Sequence, residues 1–185
     1  MKLLYNNSRK IRKMEKAYEI CLEMLSQRNY DITDREEDSI VAIKPDGNEM
    51  VVFFSNYPKF NVKNIQTYIT SMDSMEIFHA IIVYIDGITS FTKKAIEQSL
   101  EMTFELFSVD DLQYNITKHR LQPKFKVLDE KEAVKFKDEY GTRFSVIRKD
   151  DPIAKFYAYQ KGDIIHITRS NGYINYKLFI ILNLV

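Results

Sequence analysis

The strongest constraint on the fold is a stretch near the carboxyl end that predicts strand, helical turn and hairpin in succession. Two apolar segments, Phe144–Arg148 and Asp163–Arg169, are the predicted strands on either side of the turn. Asp151 is suited to cap the turn, since its side-chain oxygen can accept a free backbone amide, and Pro152 takes the first helical position. Ser170-Asn171-Gly172 predicts a tight hairpin, because Asn-Gly tolerates positive φ. A small α+β unit is therefore expected here.

Residues before this stretch alternate strands with helices, a pattern typical of an α/β sandwich. An amphipathic helix is predicted over Ile11–Leu25, whose apolar residues recur at the spacing of one buried face. His79–Ile85 is apolar nearly throughout, as is usual for a central strand covered on both faces. The remaining predicted elements are a left-handed cap at Asn29, an acidic loop over Asp34–Asp38, a hairpin of Ser39–Lys44 and Glu49–Ser55, a helix capped by Asn61, a helix capped by Thr89 or Ser90, the strand Met102–Phe107, and a helix opened by a capping box of Asp129 and Glu132.

Charge separates the chain into two predicted modules with a boundary between residues 118 and 119. Residues 1–118 hold 14 basic and 18 acidic side chains, a balance of −4, whereas residues 119–185 hold 13 and 8, a balance of +5. The basic module suits an acidic partner or nucleic acid, but an ordinary solvated surface explains the same charge. Both alternatives also stay open for the basic start of the first helix, which carries Lys10, Arg12, Lys13 and Lys16.

The sequence carries no recognisable catalytic or metal-binding motif, so we expect no catalytic residue, no metal and no cofactor. The single cysteine, Cys21, excludes an internal disulfide and is expected to be a core residue on a helix. The three histidines lie far apart and lack metal-ligand spacing. No apolar run reaches the roughly 18 residues of a membrane span, and the first residues do not resemble a signal peptide. We therefore expect an intracellular protein without a membrane partner.

The carboxy-terminal stretch carries an ordered run of short motifs. They are Asp151-Pro152-Ile153-Ala154, Tyr157, Lys161-Gly162, Arg169, Gly172-Tyr173 and Tyr176-Lys177, preceded by a linker over Tyr114–Lys124. This run resembles the assembly domain of the fifth-largest subunit of eukaryotic RNA polymerases, a family with a counterpart in archaeal polymerases and with relatives encoded by large DNA viruses. The resemblance is strong from Tyr114 to Leu178 and weak before. The tail, Phe179–Val185, runs past the family's usual end and either extends the last strand or meets another polymerase chain.

The resemblance implies a fold of two domains, α/β followed by α+β. Residues 1–118 would form a jaw domain, an α/β sandwich with a restriction-endonuclease-like fold and no active site, and residues 119–185 a small mixed-sheet assembly domain. The implied function is that of a non-catalytic subunit that docks on the largest subunit and forms part of the lower jaw near downstream DNA in transcription. Neighbouring small subunits are further implied partners. The implied location is the nucleus, or the virion and host cytoplasm for a virus-encoded chain.

The resemblance also implies two sets of site residues. Those expected to bind the partner subunit are Asp151, Pro152, Ile153, Tyr157, Lys161, Gly162 and Arg169. Those expected to lie near DNA are Thr89, Ser90, Lys93 and Lys94, with Thr92 as a further hydroxyl donor. Ser90 stands where the family usually has proline, so a rigid wedge supplied by that proline is not carried over. A helix start with free amides and lysines nonetheless suits phosphate.

Two other functions stay open from the residues. One is a stand-alone DNA-binding protein with an inactive nuclease-like fold. The other is an active metal nuclease, for which Asp46 and Glu49 are the candidate carboxylates. Such a site needs a lysine close after the second carboxylate to polarise the water or the phosphate, and Val51 occupies that position. The nuclease is therefore the least favoured of the three.

Overall fold

The computed structural model describes residues 2–57, 60–99, 101–141, 143 and 145–181, which divide into two compact units. The amino-terminal unit ends at Tyr114 and the carboxy-terminal unit begins at Asn115, slightly before the boundary expected from charge. Each unit combines helices with a mixed sheet, which agrees with the α/β and α+β classes predicted for the two parts of the chain. Among the described residues, no helix combines the length and the apolar character needed to cross a bilayer.

The amino-terminal unit is organised around a five-stranded sheet. Its elements are α1 (Lys2–Gln27), β1 (Asp31–Arg35), β2 (Ser39–Ile43), β3 (Glu49–Ser55), α2 (Val62–Met75), β4 (His79–Tyr84), α3 (Ser90–Glu97), β5 (Thr103–Ser108) and a 3-10 turn over Val109–Leu112. The strands lie in the order β1-β2-β3-β4-β5, antiparallel from β1 to β3 and parallel from β3 to β5. Helices α2 and α3 are the crossovers that the parallel pairs require.

Both faces of this sheet are buried, because neighbouring residues of β3 and β4 point to opposite faces and both sets are apolar. On one face, Val51 and Ile82 join a buried cluster with Met72 of α2. On the other face, α1 contributes its apolar side, where the rings of Tyr18 and Phe54 have centroids 4.9 Å apart. The prediction of a central strand covered on both faces is confirmed, since Ala80–Val83 are all fully buried.

Cys21 lies on the buried side of α1, as its helical spacing predicts, and is fully buried. Burial raises the pKa of its thiol to about 12, because the thiolate would lose its hydration. The thiol therefore stays protonated near neutral pH and behaves as a small core hydrophobe.

The first region of the chain differs from the sequence prediction in two respects. Helix α1 begins at Lys2, well before the predicted start at Ile11. The predicted acidic loop at Asp34–Asp38 is also wrong in part, because Asp34 and Arg35 belong to the edge strand β1 and pair with β2 across a register irregularity. The polar, exposed composition of β1 hides it from a search for apolar alternation.

Predicted helix ends are confirmed where a polar side chain caps the backbone. Asn61 accepts backbone amides of the first turn of α2 and completes a capping box with Asn64. Thr89, rather than Ser90, is the N-cap of α3. Asn29 has the left-handed φ of 61° expected for its cap. These confirmations share one reason, since a cap is decided by residues within one turn of it.

The carboxy-terminal unit is organised around a four-stranded sheet. Its elements are a 3-10 turn over Ile116–Lys118, β6 (Lys124–Val127), α4 (Glu130–Tyr140), β7 (Val146–Arg148), α5 (Pro152–Tyr157), β8 (Ile164–Thr168) and β9 (Ile174–Ile180). The strands lie in the order β6-β8-β9-β7, in which β8 is antiparallel to both neighbours and β7 is parallel to β9. The capping box predicted for Asp129 and Glu132 opens α4.

The two faces of the carboxy-terminal sheet are covered unequally. One face, with Ile165, Ile167 and Phe179, forms a buried cluster with α5 and the 3-10 turn. The other face meets α4, which has no buried residue of its own. Phe136 of α4 stacks on Tyr176 with ring centroids 4.3 Å apart. Ile164, which points to this second face, is also buried, but most of the buried residues of the sheet lie on the face toward α5.

Two sequence predictions fall at the ends of strands in this unit. The strand predicted from Phe144 begins at Val146, and Phe144 itself lies outside the described residues. Strand β9 continues through Ile180, and Phe179 is buried in the core, so the first part of the tail extends the last strand. The rest of the tail, from Leu182, lies outside the described residues.

Candidate functional site

The loop before α5 is fixed by the residues that the sequence singled out. Asp151 adopts an extended N-cap conformation, and the Ile153 N–H donates to its Oδ1 at 2.9 Å. Pro152 follows at the first helical position and is exposed. Ile153 is only 6% exposed and belongs to the core cluster, so within this surface it acts by packing and cannot itself present a contact.

Two aromatic rings stack at the end of α5, just before the next turn. The ring of Tyr157 stacks on that of Tyr159 with centroids 5.7 Å apart and packs against the core cluster. Burial raises the pKa of Tyr157, and a hydrogen bond with Thr117 partly offsets this effect. Ala158 closes the helix with a left-handed φ of 53°, unusual for a residue with a Cβ.

The Lys161-Gly162 turn is tied to the sheet by backbone hydrogen bonds. Gly162 has a φ of 98°, a conformation that favours glycine, and its N–H donates to the Phe179 carbonyl at 3.1 Å. The Asp163 carboxylate accepts from the Gln160 N–H at 2.7 Å, which closes the turn on itself. Lys161 is exposed on this rigid turn. The backbone that carries this side chain is thus held at a defined place on the surface.

Arg169 lies at the opposite end of the sheet from Lys161. It follows β8, whereas Lys161 precedes it, and a strand of five residues spans about 17 Å. The Arg169 N–H donates to the Tyr173 carbonyl at 2.9 Å, and Gly172 has a φ of 80°, so the predicted hairpin is confirmed. The structure therefore gathers Asp151, Pro152, Tyr157, Lys161 and Gly162 in one region and places Arg169 apart from it.

A second candidate surface lies where β4 leads into α3. Thr89 caps the helix by accepting the Thr92 N–H at 3.2 Å, and the two hydroxyls are hydrogen-bonded at 2.6 Å. Ser90, Lys93 and Lys94 are exposed. Thr92 is fully buried, so the expectation that its hydroxyl donates to an external phosphate is wrong. The cap turns this hydroxyl inward.

Long-range ion pairs neutralise much of the basic start of α1. Lys10 pairs with Asp86 at 2.8 Å, and Lys13 pairs with Asp110. Lys16 pairs within the helix with Glu19. These partners favour the interpretation of this cluster as structural surface rather than a polyanion site. Two of them lie far along the chain, which is why the local sequence pattern does not reveal them.

A buried ionic network between α1 and β5 has no counterpart among the sequence predictions. The Arg28 guanidinium donates two hydrogen bonds to the Glu105 carboxylate, at 2.9 and 2.8 Å, and His79 lies 2.9 Å from the same carboxylate. Burial by itself raises the pKa of Glu105, but the charge of Arg28 and hydrogen bonds from His79 and Arg28 outweigh it and lower the pKa to about 2. The network holds the end of α1 on the sheet.

The nuclease alternative can be judged from the β2–β3 turn. Asp46 accepts the Asn48 N–H at 3.1 Å and borders an open cavity of about 590 Å³ at the end of α1. Glu49 is exposed at the start of β3, and Val51 is fully buried in the core. Among the described residues, no group of three or more His, Cys, Asp or Glu side chains could hold a metal ion. This geometry offers no argument for a metal nuclease.

Comparisons with known proteins match both units. Residues 114–178 match the family model described as RNA polymerase Rpb5, C-terminal domain. The chain is 33% identical over 186 residues to "Putative DNA-directed RNA polymerase subunit 454R" of Invertebrate iridescent virus 6, with 88% of this chain and 97% of that protein covered. It is 32% identical over 181 residues to DNA-directed RNA polymerases I, II, and III subunit rpabc1 of Dictyostelium discoideum, with 85% and 92% covered. It is 26% identical over 189 residues to DNA-directed RNA polymerases IV and V subunit 5B of Arabidopsis thaliana, with 84% of each chain covered.

Proposed function

The chain belongs to the Rpb5 family of DNA-directed RNA polymerase subunits, and from this membership we propose that it docks on the largest subunit through its carboxy-terminal unit. The observation that carries the proposal is the coincidence of two boundaries. The family match covers residues 114–178, and the carboxy-terminal unit begins at Asn115. A compact unit that begins where the family match begins, and that the match covers as far as residue 178, is the natural candidate for the assembly module.

The region around the Lys161-Gly162 turn is the proposed docking surface. Backbone hydrogen bonds fix its shape, which lowers the entropy lost when a partner binds. Lys161 is exposed and forms no ion pair with another described residue of this chain. Its charge is available for an acidic group on the partner. Arg169, at the other end of β8, would extend the interface along the whole strand.

Charge reversal tests the docking surface. Lys161→Glu changes an exposed residue, so the fold should persist while incorporation into the polymerase falls. The matched control is Lys135→Glu on the exposed side of α4, across the sheet from α5. Incorporation is measured as the recovery of the largest polymerase subunit with each tagged variant. Equal recovery of the Lys161 variant and the parent, at equal stability, would remove Lys161 from the interface.

The amino-terminal unit is proposed to serve as a jaw, with a restriction-endonuclease-like fold, close to downstream duplex DNA. Its mixed sheet with helices on both faces supports the fold comparison. Thr89, Ser90, Lys93 and Lys94 would be the DNA-proximal residues, because the start of a helix and the ammonium groups of Lys93 and Lys94 suit phosphates of any sequence. The balance of −4 over residues 1–118 argues that the isolated subunit binds DNA weakly. The contact would then matter only within the assembled polymerase.

A salt series tests the DNA contact. Lys93→Glu/Lys94→Glu should leave assembly intact and shorten the lifetime of transcribing complexes. Because neutralised phosphates release counterions, losing contacts should also flatten the dependence of stability on salt. Identical slopes for the double variant and the parent would count against DNA near α3.

We further propose that the chain takes no part in catalysis, which belongs to the other subunits. It would act where its polymerase acts: in the nucleus of a cell, or in the virion and host cytoplasm if the chain is virus-encoded. Neighbouring small subunits complete its proposed partners. A test is transcription by polymerase reconstituted with and without this subunit, in which elongation on a short template should persist without it.

A further inference from the structure

The turn between α2 and β4 leaves two large apolar side chains on the surface. Phe78 is 59% exposed and Met75 is 37% exposed, and they stand on either side of Glu76 and Ile77 in the chain. Ile77 is the residue of this turn that completes the core, since it is buried in the cluster that also contains Met72. Aromatic residues and methionine are enriched in protein interfaces, so an exposed pair of them suits a protein partner.

Backbone hydrogen bonds hold this turn in place. The Ile77 N–H donates to the Met72 carbonyl at 3.0 Å, which closes the end of α2. The Phe78 carbonyl accepts from the Thr103 N–H at 2.8 Å, which joins the turn to the start of β5. Because the backbone is fixed on both sides of Phe78, a partner that packs on this ring requires little further ordering of the chain.

The charges at this turn are acidic and stand at the unfavourable end of α2. Asp73 lies in the last turn of the helix and Glu76 is its C-cap, and the last carbonyls of a helix already carry a partial negative charge. The last turn has no basic residue, and no lysine or arginine occurs between Lys63 and Lys93. Glu101, just before β5, adds a third exposed carboxylate. The turn therefore favours a cationic partner.

These charges are not neutralised within the described part of the chain. Asp73, Glu76 and Glu101 are exposed and form no ion pair with another described residue. The nearby Glu105 adds nothing to them, because Arg28 pairs with its carboxylate at 2.8 Å. An exposed aromatic ring and carboxylates at a helix C-terminus each cost stability. A ligand that is both cationic and apolar would offset the two costs together.

We infer that this turn binds a basic amphipathic segment of another protein. The binding surface consists of Asp73, Met75, Glu76, Phe78 and Glu101, and we call it the Phe78 surface. An apolar side chain of the segment would pack on Phe78 and Met75, and its lysines or arginines would pair with the carboxylates. The same carboxylates repel phosphates, so the inference does not depend on the proposed contact of the jaw with DNA.

Binding of a defined peptide tests the inference. The probe is a labelled synthetic helix with leucines on one face and lysines on the other, and its fluorescence anisotropy is measured as full-length chain is added. Saturable binding is expected, and Phe78→Ala should weaken it by about tenfold, as the loss of an aromatic interface anchor does. The matched control is Phe91→Ala, because Phe91 is 73% exposed on α3 beside Lys93 and Lys94, which repel a cationic peptide. The control should leave the affinity unchanged.

Asp73→Lys distinguishes a binding surface from ordinary solvated acidic residues. A lysine in the last turn of α2 should raise the folding equilibrium constant by about twofold to fivefold, because a cation suits this helix end. The same variant should bind the peptide more weakly than the parent at low salt, and the difference should shrink as salt is added. A substitution that stabilises the chain and weakens binding is the result expected of a surface kept for a partner.

A second peptide, with serine in place of leucine, makes the test on the unaltered chain and should bind much more weakly. Equal binding of the two peptides would overturn the inference, because it would show charge attraction without an apolar contact. Absence of saturable binding, or equal affinities of the Phe78→Ala and Phe91→Ala variants, would overturn it as well. Undiminished binding by the Asp73→Lys variant would do the same, since the carboxylates would then take no part.

Discussion

The two interior strands β4 and β9 occupy comparable places in their sheets but are buried very differently. In β4, four of six residues are buried, and they point alternately to both faces. In β9, one of seven residues is buried, namely Phe179 on the face toward α5. The amino-terminal unit thus completes a two-sided core by itself. The carboxy-terminal unit relies on a core that lies mostly on one face of its sheet, so binding to a larger partner should add most to the stability of this unit.

The largest expected effects come from paired alanine substitutions in these two strands. Ile81→Ala and Ile82→Ala, on opposite faces of β4, should each cost about 2–5 kcal/mol of unfolding free energy. On β9, Phe179→Ala should cost about 3–5 kcal/mol and its half-buried neighbour Leu178→Ala only about 1 kcal/mol. Hydrogen exchange of peptides from each strand measures both pairs. An equal loss for the two β9 variants would break the contrast, because it would mean two buried faces there as well.

The buried ion network predicts a second difference between the two units, which is a loss of stability of the amino-terminal unit at low pH. The folded-state pKa of Glu105 is about 2, below its ordinary value of 4.5, so the contribution of its carboxylate is complete above pH 4.5 and is lost as the pH falls toward 2. The loss should be about 3 kcal/mol in the amino-terminal unit. Glu105→Gln should therefore reduce the dependence of the unfolding free energy on pH between pH 4.5 and pH 2.

The control for this experiment lies in the carboxy-terminal unit. Glu132 pairs with Lys126 on the surface, with side chains 41% and 60% exposed, and glutamine can still complete its capping box. Glu132→Gln should therefore change the pH profile much less than Glu105→Gln. A larger effect at Glu132 than at Glu105 would show that the buried network is not the main source of acid sensitivity.

Helix ends give the smallest expected effect, and it should be the same in both units. Ala158 after α5 and Glu76 after α2 have left-handed φ values of 53° and 57°. Replacing either by glycine removes the Cβ strain and should raise stability by about 0.5–1 kcal/mol. Asn29→Gly should be nearly neutral, because asparagine tolerates this conformation. Thermal unfolding checks all three, and a stabilised Asn29 variant beside an unchanged Ala158 variant would contradict the strain argument.

Local rules explain which parts of the fold the sequence could predict. The caps at Asn61, Asp129 and Asp151 depend on neighbouring residues, and the apolar run of β4 predicts its own burial. The edge strand β1 could not be found this way, since its pairing depends on β2 and its side chains are exposed. The bond from Arg28 to Glu105 likewise joins residues 77 positions apart, and no local pattern predicts it.

The same distinction, between features set by neighbouring residues and features set by distant ones, applies to the candidate sites. The structure has a turn at Lys161-Gly162, where the motif run also placed the proposed docking residues, and Gly162 supplies the positive φ that this turn needs. The predicted strand Asp163–Arg169 also placed Arg169 a strand's length from that turn, where the structure has it. The sequence could not show that Thr92 faces inward, since its burial depends on tertiary packing as well as on the bond to Thr89.

The most direct test of the docking proposal is to determine which unit co-purifies with the polymerase. Tagged full-length chain, residues 1–114 and residues 115–185 are expressed in cells that contain the polymerase, and the bound proteins are identified after affinity purification. We predict that the full chain and residues 115–185 recover the largest polymerase subunit and that residues 1–114 do not. Recovery of that subunit by residues 1–114 alone, or a full-length chain that purifies without any large polymerase subunit, would contradict the assignment of docking to the carboxy-terminal unit.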